Sequence, residues 1–251
     1  AVLSGAAAKV PITHEAMWLM KRVGAPAPSP DGKWVVFSVS EPAYEEKDQV
    51  SDLWLVPADA SAKARRLTFT KGGESGLAWS PDSRRLAFTA RREGDEAAQI
   101  YVLDVAAGGE AQRVTSLTAA ASAPCWSPDG RALLFTSAAD PLAAERKARK
   151  HRARVYTGFP IRNWDRWLDE SQTHLFVQNL EPGAQPHDLL AGTKLVAEPG
   201  FGGRPSPMGG PDNLDAVWAP DGQSVIFAAT TNRNAAAYDE VDTHLFRVAL
   251  A

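Results

Sequence analysis

The side chains of this chain that could do chemistry do not fall into a known catalytic spacing. A Gly-x-Ser-x-Gly nucleophile elbow fails at residues 73–77, because Leu77 occupies the place of the final glycine. Serine, histidine and aspartate all occur, yet no spacing groups them into a hydrolytic triad. Phosphate-binding glycine loops and the H-E-x-x-H metal motif do not occur. We therefore predict no catalytic residue, no cofactor and no metal site in this sequence.

Two histidines share the tetrapeptide Thr-His-Leu-Phe and could suggest a pair of metal ligands. They are His174 and His244. When the sequence is aligned with itself, the same position holds Asp52 and Gln99. A polar residue that recurs at the start of a strand explains this pattern better than a metal site does.

Four aspartates could likewise be taken for carboxylates that do acid–base work. Each one, however, lies in a copy of the pattern W-S-P-D-G-x-x-φ-φ-F, where φ is apolar. Proline presets φ, aspartate bonds locally and glycine tolerates positive φ, so the pattern predicts a tight turn between two strands. We interpret these aspartates as structural turn residues: Asp31, Asp82, Asp129 and Asp221.

The repeats predict the fold. After each turn come a second strand pattern, such as residues 52–56 and 99–103, and then a third short strand, as at 65–68 and 112–115. Strand, turn, strand, loop, strand, loop, strand makes a four-stranded antiparallel blade, and stacked blades make an all-β propeller. Trp79, Trp126 and Trp218 occupy the packing position before the turn.

About four blades are visible, and we place them at residues 26–70, 76–116, 123–196 and 214–251, the last incomplete. The wide gap between the third and fourth turns is interpreted as an insertion at 139–170 plus a Gly/Pro-rich loop at 197–213. A degenerate extra blade is the alternative interpretation. An open arc of blades leaves unpaired strand edges, so we expect a fragment, with a closed four-bladed propeller as the alternative.

Two segments lie outside the repeats. In the N-terminal segment, residues 1–25, Thr13 can cap a short helix from His14 to Arg22 with Met17, Trp18 and Met20 on its apolar face. The insertion begins at Asp140 as a helix with six Lys or Arg residues between 146 and 154, which we expect to be solvated. It continues to Arg162, Trp164 and Asp165, which either anchor the insertion on the third blade or contact a substrate.

Composition excludes several classes of protein. A net charge of -3 and a pI near 6.0 argue against nucleic-acid binding. The single cysteine, Cys125, excludes an internal disulfide. The apolar runs are far shorter than the roughly 20 residues that cross a bilayer, so we expect no membrane span.

The combination of segments resembles the prolyl oligopeptidase family of serine peptidases. Residues 13–23 followed by 26–32 are similar to the N-terminal segment of its bacterial members. The first two blades and residues 162–167 look like its acylaminoacyl-peptidase and dipeptidyl-peptidase 5 branch. The resemblance covers roughly residues 10–250.

The resemblance implies a propeller of seven or eight blades followed by an α/β-hydrolase domain that carries the catalytic Ser, Asp and His. That domain is absent here, so none of its catalytic residues can be placed on this chain. By resemblance, the propeller admits peptides and the whole enzyme releases dipeptides or acylated residues from peptide N-termini. The implied partners are a peptide substrate, the remaining blades, the hydrolase domain and a second copy in a homo-oligomer.

Other functions remain open at this point. A non-catalytic propeller like that of the periplasmic Tol–Pal system would act by binding proteins. A carbohydrate-active propeller is a weaker alternative, because it should present inward acidic pairs that the sequence lacks. The resemblance implies a periplasmic or secreted location, with the cytoplasm as the alternative, and the absence of an initial Met agrees with a removed signal peptide, cloning residues or proteolysis.

Overall fold

The structure is a computed structural model of the chain. It describes residues 11–45, 49–70, 73–140, 147, 148, 150, 153, 156, 162, 163, 166, 167, 171–198, 200–204, 212–236 and 238–250. The chain divides into two compact units, Ala1–Glu74 and Ser75–Ala251. Each unit is built almost entirely from antiparallel strands.

The first unit contains one short helix and the first sheet. Helix α1 is capped by Thr13, whose hydroxyl oxygen accepts a hydrogen bond from the N–H of Ala16 at 3.1 Å. In the sheet, β3 pairs with both β1 and β2 along one side and with β4 on the other, and β4 pairs with β5. The elements are α1 (His14–Trp18), β1 (Arg22–Val23), β2 (Ala27–Pro28), β3 (Trp34–Glu41), β4 (Val50–Pro57) and β5 (Arg65–Arg66).

The helix is shorter than the sequence predicted. It ends at Trp18 instead of Arg22, because Arg22 and Val23 pair as β1 with the far end of β3. The side chains predicted to form a buried apolar face are exposed: Met17, Trp18 and Met20. Pairing with a distant strand therefore overrides the local helical pattern in this segment.

The second unit contains three further sheets and a small hairpin. The second sheet has the strand order β6–β7–β8–β9, the third β10–β11–β14–β15 and the fourth β16–β17–β18. Strands β12 and β13 form the hairpin, and a 3-10 helix spans Arg233–Ala235. The strands are β6 (Glu74–Trp79), β7 (Arg85–Ala90), β8 (Gln99–Asp104), β9 (Gln112–Arg113), β10 (Ala121–Trp126), β11 (Ala132–Ala139), β12 (Arg162–Asn163), β13 (Arg166–Trp167), β14 (Gln172–Asn179), β15 (His187–Asp188), β16 (Val217–Trp218), β17 (Ser224–Ala229) and β18 (His244–Ala249).

The predicted turns join each long second strand to the strand that precedes it, namely β2 to β3, β6 to β7, β10 to β11 and β16 to β17. In the third sheet, Asp129 accepts hydrogen bonds from the hydroxyl of Ser127 at 2.6 Å and from the N–H of Arg131 at 3.0 Å. The residue after the aspartate has positive φ in every copy, which suits Gly130 at 69° and strains Ser83 at 60°. The turn aspartates therefore hold the hairpins closed through residues of their own turns, and Asp221 also bonds to Arg247 on β18.

Neighbouring sheets of the second unit pack face to face through the repeated tryptophans. The indole N–H of Trp126 donates to the carbonyl oxygen of Ala78 in the preceding sheet at 2.9 Å. Trp218 repeats this contact with the carbonyl oxygen of Cys125 at 3.2 Å. Apolar side chains fill the space between the sheets, such as Phe135 next to Ile100 and Phe227 next to Leu175. This stacking of four-stranded units is typical of the blades of a β-propeller.

The wide gap in the repeats lies within the third sheet and beyond it. Ala139 at the end of β11 pairs with Gln172 at the start of β14, so residues 140–171 leave and rejoin the sheet at adjacent positions. Most of the predicted basic helix lies outside the described residues; within it, Lys147 and Lys150 are exposed. Residues 200–204 of the predicted Gly/Pro-rich loop form bridges with Asn213, Thr230 and Asn232.

Candidate functional site

Each sheet has two distinct ends. The S-P-D-G turns lie at one end, which we call the turn end. The connections between the second and third strands lie at the opposite end, which we call the loop end, as do the segments that enter the first strand of each sheet. The insertion leaves and rejoins the third sheet at its loop end, opposite the turn that contains Asp129.

The hairpin in the insertion carries the first of the predicted substrate-contact residues. Arg162 pairs with Trp167, and its guanidinium carbon lies 5.8 Å from the centre of the Trp167 ring. The ring of Tyr156 lies 6.2 Å from that of Trp167. Trp164 and Asp165 lie outside the described residues. The hairpin thus presents an exposed arginine stacked on a half-exposed tryptophan, an arrangement suited to contact with a peptide or a carboxylate.

A histidine–aspartate pair lies at the loop end of the third sheet, next to the base of the insertion. His174 Nδ1 hydrogen-bonds to Asp188 Oδ2 at 2.8 Å, and His174 Nε2 faces Gln172 Oε1 at 3.1 Å. The amide of Gln172 is oriented by its own bond to the carbonyl oxygen of Val196 at 3.1 Å. Both ring nitrogens are therefore engaged, and His174 is buried. The pair locks the outer strand β15 to β14, and neither nitrogen is free to act as a base.

The electrostatics of Asp188 fit this locking role. Burial alone would raise the pKa of the carboxyl, but the hydrogen bonds from His174 and from the N–H of Leu190 outweigh burial and lower the pKa. Asp188 Oδ1 accepts the Leu190 N–H at 2.9 Å and the Ala191 N–H at 3.1 Å. One carboxylate thus fixes both the histidine ring and the turn that follows β15.

Residues 200–204 cover this histidine from one side. The ring of Phe201 meets that of His174 edge-on with 6.5 Å between the ring centres. The segment packs closely against its neighbours, since a Cβ added to Gly203 would lie 2.5 Å from the carbonyl oxygen of Asn213. Asp212 accepts the Gly203 N–H at 3.2 Å and forms an ion pair with Arg233. Residues 200–204 are therefore closely packed at the loop end.

The second sheet has its own buried charge cluster at the loop end. Asp95 accepts hydrogen bonds from the hydroxyl of Tyr101 and from the guanidinium of Arg113, both at 2.7 Å. Burial opposes the charge on Asp95, yet these bonds keep its pKa below the usual value. Burial together with Asp95 raises the pKa of Tyr101 to about 12. The guanidinium of Arg92 stacks on the Tyr101 ring at 4.4 Å and closes the cluster.

These clusters were not predicted from the sequence, although the repeats contain a signal for the pairs in the first and third sheets. One slot of the third strand holds Asp52, Gln99 and His174 in successive sheets, and the facing slot of the outer strand holds Arg66, Arg113 and Asp188. Asp52 forms an ion pair with Arg66, whereas His174 pairs with Asp188. The acid therefore lies on the third strand in the first sheet and on the outer strand in the third sheet. This exchange of acid and base between the two positions indicates that they pair.

The described residues contain neither a metal-ligand cluster nor a helix that could span a membrane. In that part of the chain no group of three or more His, Cys, Asp or Glu side chains could hold a metal ion. None of the helices that the structure describes is long and apolar enough to cross a membrane.

Comparisons with known proteins connect this geometry to one fold. The chain is 30% identical over 222 residues to dipeptidyl-peptidase 5 of Porphyromonas gingivalis, an alignment that covers 87% of this chain and 31% of that protein. This chain thus spans about a third of the length of its curated relative. Its structure matches an acylaminoacyl peptidase of Pyrococcus horikoshii with a TM-score of 0.60 at 14% identity, covering 92% of this chain and 32% of that one.

A second group of matches comes from a different kind of protein. TolB of Acinetobacter baumannii matches with a TM-score of 0.50 at 15% identity, over 92% of this chain and 44% of that one. The model of the TolB beta propeller domain, PD40, matches residues 16–157, which is more than half of this chain. The predicted all-β propeller and the resemblance to the propeller portion of prolyl oligopeptidase family peptidases are confirmed. The chain belongs to the TolB β-propeller domain family.

Proposed function

We propose that this chain is the substrate-gating propeller portion of a serine exopeptidase that releases dipeptides or acylated residues from peptide N-termini. Residues 26–251 form part of the propeller, residues 1–25 an N-terminal segment, and catalysis resides in a hydrolase domain outside these residues. The observation that carries the proposal is the 30% identity to dipeptidyl-peptidase 5 across 87% of the chain. The remaining partners are further blades, a peptide substrate and, in the assembled enzyme, a second copy.

The loop end supplies the groups that would meet a peptide. Arg162 and Trp167 are exposed on the insertion, and the base of the insertion rests beside the locked His174–Asp188 pair. An arginine stacked on an aromatic ring holds a carboxylate or a backbone carbonyl well, because the ring limits the motion of the guanidinium. We assign Trp164 and Asp165 to the same substrate contact, one of the two roles that the sequence left open for them.

The test compares peptide hydrolysis by four proteins: this chain alone, the longer protein that the proposal requires, and the Arg162→Ala and Arg131→Ala variants of the longer protein. We expect hydrolysis of dipeptidyl p-nitroanilides by the longer protein and none by this chain. Arg162→Ala should raise KM about tenfold with kcat nearly unchanged, because a binding contact worth ~1.4 kcal/mol is lost. Arg131, exposed at the turn end of the same sheet, is the matched control and should leave KM unchanged.

Two results would contradict the proposal in different ways. Hydrolysis by the purified chain alone would show that catalysis resides in these residues. An Arg162→Ala enzyme with unchanged KM but a more protease-sensitive insertion would show that the hairpin only anchors the insertion. In that second case the peptidase assignment survives and the substrate contact does not.

A non-catalytic, protein-binding scaffold is the second candidate function. The match to the TolB beta propeller domain and the likeness to TolB of Acinetobacter baumannii favour it. A longer protein that hydrolyses none of the peptide substrates yet retains a stable complex with another periplasmic protein would support this candidate. We place the chain in the periplasm or outside the cell under either function, with the cytoplasm as the alternative.

A further inference from the structure

The amide of Gln172 links the buried His174 to a backbone carbonyl, and this link determines where the histidine holds its protons. Gln172 Nε2 donates to the carbonyl oxygen of Val196 at 3.1 Å, and Gln172 Oε1 lies 3.1 Å from His174 Nε2. Rotating the amide by half a turn would set two oxygens against each other at Val196, so Gln172 turns its own oxygen towards the histidine. Because a carbonyl oxygen only accepts, His174 Nε2 has to donate, and that requires a proton on Nε2.

The other ring nitrogen of His174 also faces an acceptor. His174 Nδ1 lies 2.8 Å from Asp188 Oδ2. Burial opposes the charge on this carboxyl, but its hydrogen bonds keep the pKa of Asp188 below the ordinary value, so Asp188 is an ionised acceptor above about pH 4. A neutral imidazole has one N–H, whereas the imidazolium has two. Two acceptors on opposite sides of the ring therefore require the doubly protonated, positively charged form of His174.

The first sheet supports a charged histidine by comparison. Asp52 and Arg66 occupy the same two positions of that sheet and form an ion pair. With acid and base exchanged, His174 and Asp188 form the equivalent ion pair only when the histidine is charged. Among the described residues, Asp188 is the one charged group that bonds to the ring. The other titratable groups on the elements around the ring are Asp140, His187, Arg204, Asp212, Asp215 and Arg233.

We propose that His174 is a buried imidazolium and that it forms, with Gln172 and Val196, a pH-sensitive latch at the loop end of the third sheet. With the Nε2 proton present, Gln172 ties β14 to Val196, and the ring of Phe201, which follows in the same segment, covers His174. When the pH rises and Nε2 releases its proton to water, a lone pair faces Gln172 Oε1, the amide rotates and the bond to Val196 is lost. The latch therefore stabilises the loop end at mildly acidic pH and opens as the pH rises. It does not depend on peptidase activity.

NMR of the ring nitrogens tests the charge of His174 in the chain labelled with 15N-histidine. An imidazolium gives two similar 15N chemical shifts, whereas a neutral ring gives two widely separated ones. We expect His174 to be mostly doubly protonated at about pH 7, where an ordinary exposed histidine is mostly neutral. The exposed ring of His244 is the reference in the same spectra. A mostly neutral His174 at this pH overturns the proposal.

Two substitutions of Gln172 separate its hydrogen bond from its packing. Gln172→Glu keeps an acceptor next to His174 Nε2, whereas Gln172→Met keeps the size of the side chain and removes the acceptor. The proton affinity of His174 should fall about tenfold in Gln172→Met and should not fall in Gln172→Glu. Gln223→Met, at an exposed position of the turn end of the fourth sheet, is the matched control and should leave His174 unchanged. Equal proton affinities in Gln172→Met and Gln172→Glu overturn the role of Gln172.

Hydrogen exchange tests the latch itself. The N–H of Gly202 bonds to the carbonyl oxygen of Thr230 at 3.1 Å and lies in the segment that follows Val196. We expect the protection factor of Gly202, which corrects for the effect of pH on intrinsic exchange, to fall about five- to tenfold between about pH 6 and about pH 9. His174→Gln should remove this pH dependence, and it suits the fold because Gln99 occupies the equivalent position of the second sheet. A protection factor that does not change with pH, or that changes equally in His174→Gln, overturns the proposal.

Discussion

The third and fourth sheets contain the same tetrapeptide in the same register and give it opposite environments. Leu175, in the Thr-His-Leu-Phe of β14, is 0% exposed, and Leu245, in that of β18, is 79% exposed. Leu175 pairs with Thr136 and Leu245 with Ala228, which are equivalent positions of β11 and β17. Neither the local sequence nor the strand pairing therefore decides burial at this position.

The neighbouring sheet determines whether the leucine at this position is buried. Leu175 packs into a cluster with Leu214, Val225 and Phe227, which belong to the fourth sheet and the segment that enters it. The opposite face of the fourth sheet is the equivalent of the face on which Leu175 lies. On that face, Val217 and Leu245 are exposed in the described structure. In the second unit, a sheet therefore obtains part of its core from the sheet that follows it.

The largest expected effect comes from truncating the two equivalent leucines. Leu175→Ala should lower the free energy of unfolding by about 2–5 kcal/mol, because it leaves a cavity between two sheets. Leu245→Ala should change it by less than about 0.5 kcal/mol, because the side chain is already in water. Urea unfolding of the two variants and the unmodified chain measures both values.

The two leucines serve as each other's control, since the residues flanking them are identical. A loss for Leu245→Ala that equals the loss for Leu175→Ala would show that something covers β18 in solution. A small loss for both would mean that the cluster around Leu175 collapses around the missing side chain.

A middle-sized effect is expected at the histidine that precedes each leucine. In the third sheet this histidine, His174, is tested through its hydrogen-bond partner Asp188. Asp188→Asn should cost about 1–2 kcal/mol, because it weakens the carboxylate bond to a buried histidine. The pKa of Asp188 is lower in the folded state than the ordinary value, so its contribution is present above about pH 4 and is lost as the pH falls through the folded-state pKa. The variant should therefore flatten this part of the acid unfolding curve.

The fourth sheet supplies the control for this pair. His244→Gln should leave the free energy of unfolding nearly unchanged, because the side chain is exposed and has no described hydrogen-bond partner. Acid unfolding followed by circular dichroism compares the variants. An acid transition that Asp188→Asn leaves unaltered would show that other carboxyl groups govern it.

Structural features that depend only on residues close together in sequence could be predicted. The hydrogen bonds of the Ser127 and Asp129 side chains join only residues 127–132, so the local pattern sufficed to predict this turn. The helix predicted to reach Arg22 was wrong because β3, a strand that follows later in the chain, captures Arg22 and Val23.

To predict the buried charge pairs, one would have to know which residues distant in sequence the folded sheet brings together. Asp95 and Arg113 are 18 residues apart in sequence, and nothing local joins them. The pairs Asp52–Arg66 and His174–Asp188 could have been found by comparing one slot across the repeats, but Asp95 lies outside that slot. The exposure of Leu245 could not be predicted from its tetrapeptide, because burial depends on a neighbouring sheet.

The smallest expected effect concerns the turns of the same two sheets. The hydroxyl of Ser127 donates to Asp129 and accepts the N–H of Ala132 at 2.9 Å, whereas the fourth sheet has Ala219 in this position. Ser127→Ala should cost about 1 kcal/mol, and Ala219→Ser should add about 0.5–1 kcal/mol, because each change removes or supplies this hydroxyl. Urea unfolding measures both changes.

A second measurement separates the hydroxyl from changes in packing. The hydrogen bond from Ser127, together with the N–H of Arg131, lowers the pKa of Asp129. Ser127→Ala should therefore move the pKa of Asp129 back towards its ordinary value, which NMR titration of the carboxyl group detects. If Ala219→Ser destabilises the chain while Ser127→Ala shifts the Asp129 pKa as expected, then the two turns differ in more than one hydroxyl, since the fourth sheet also ties Asp221 to Arg247 at 3.2 Å. The third and fourth sheets would then differ in how their turns are stabilised as well as in the burial of their faces.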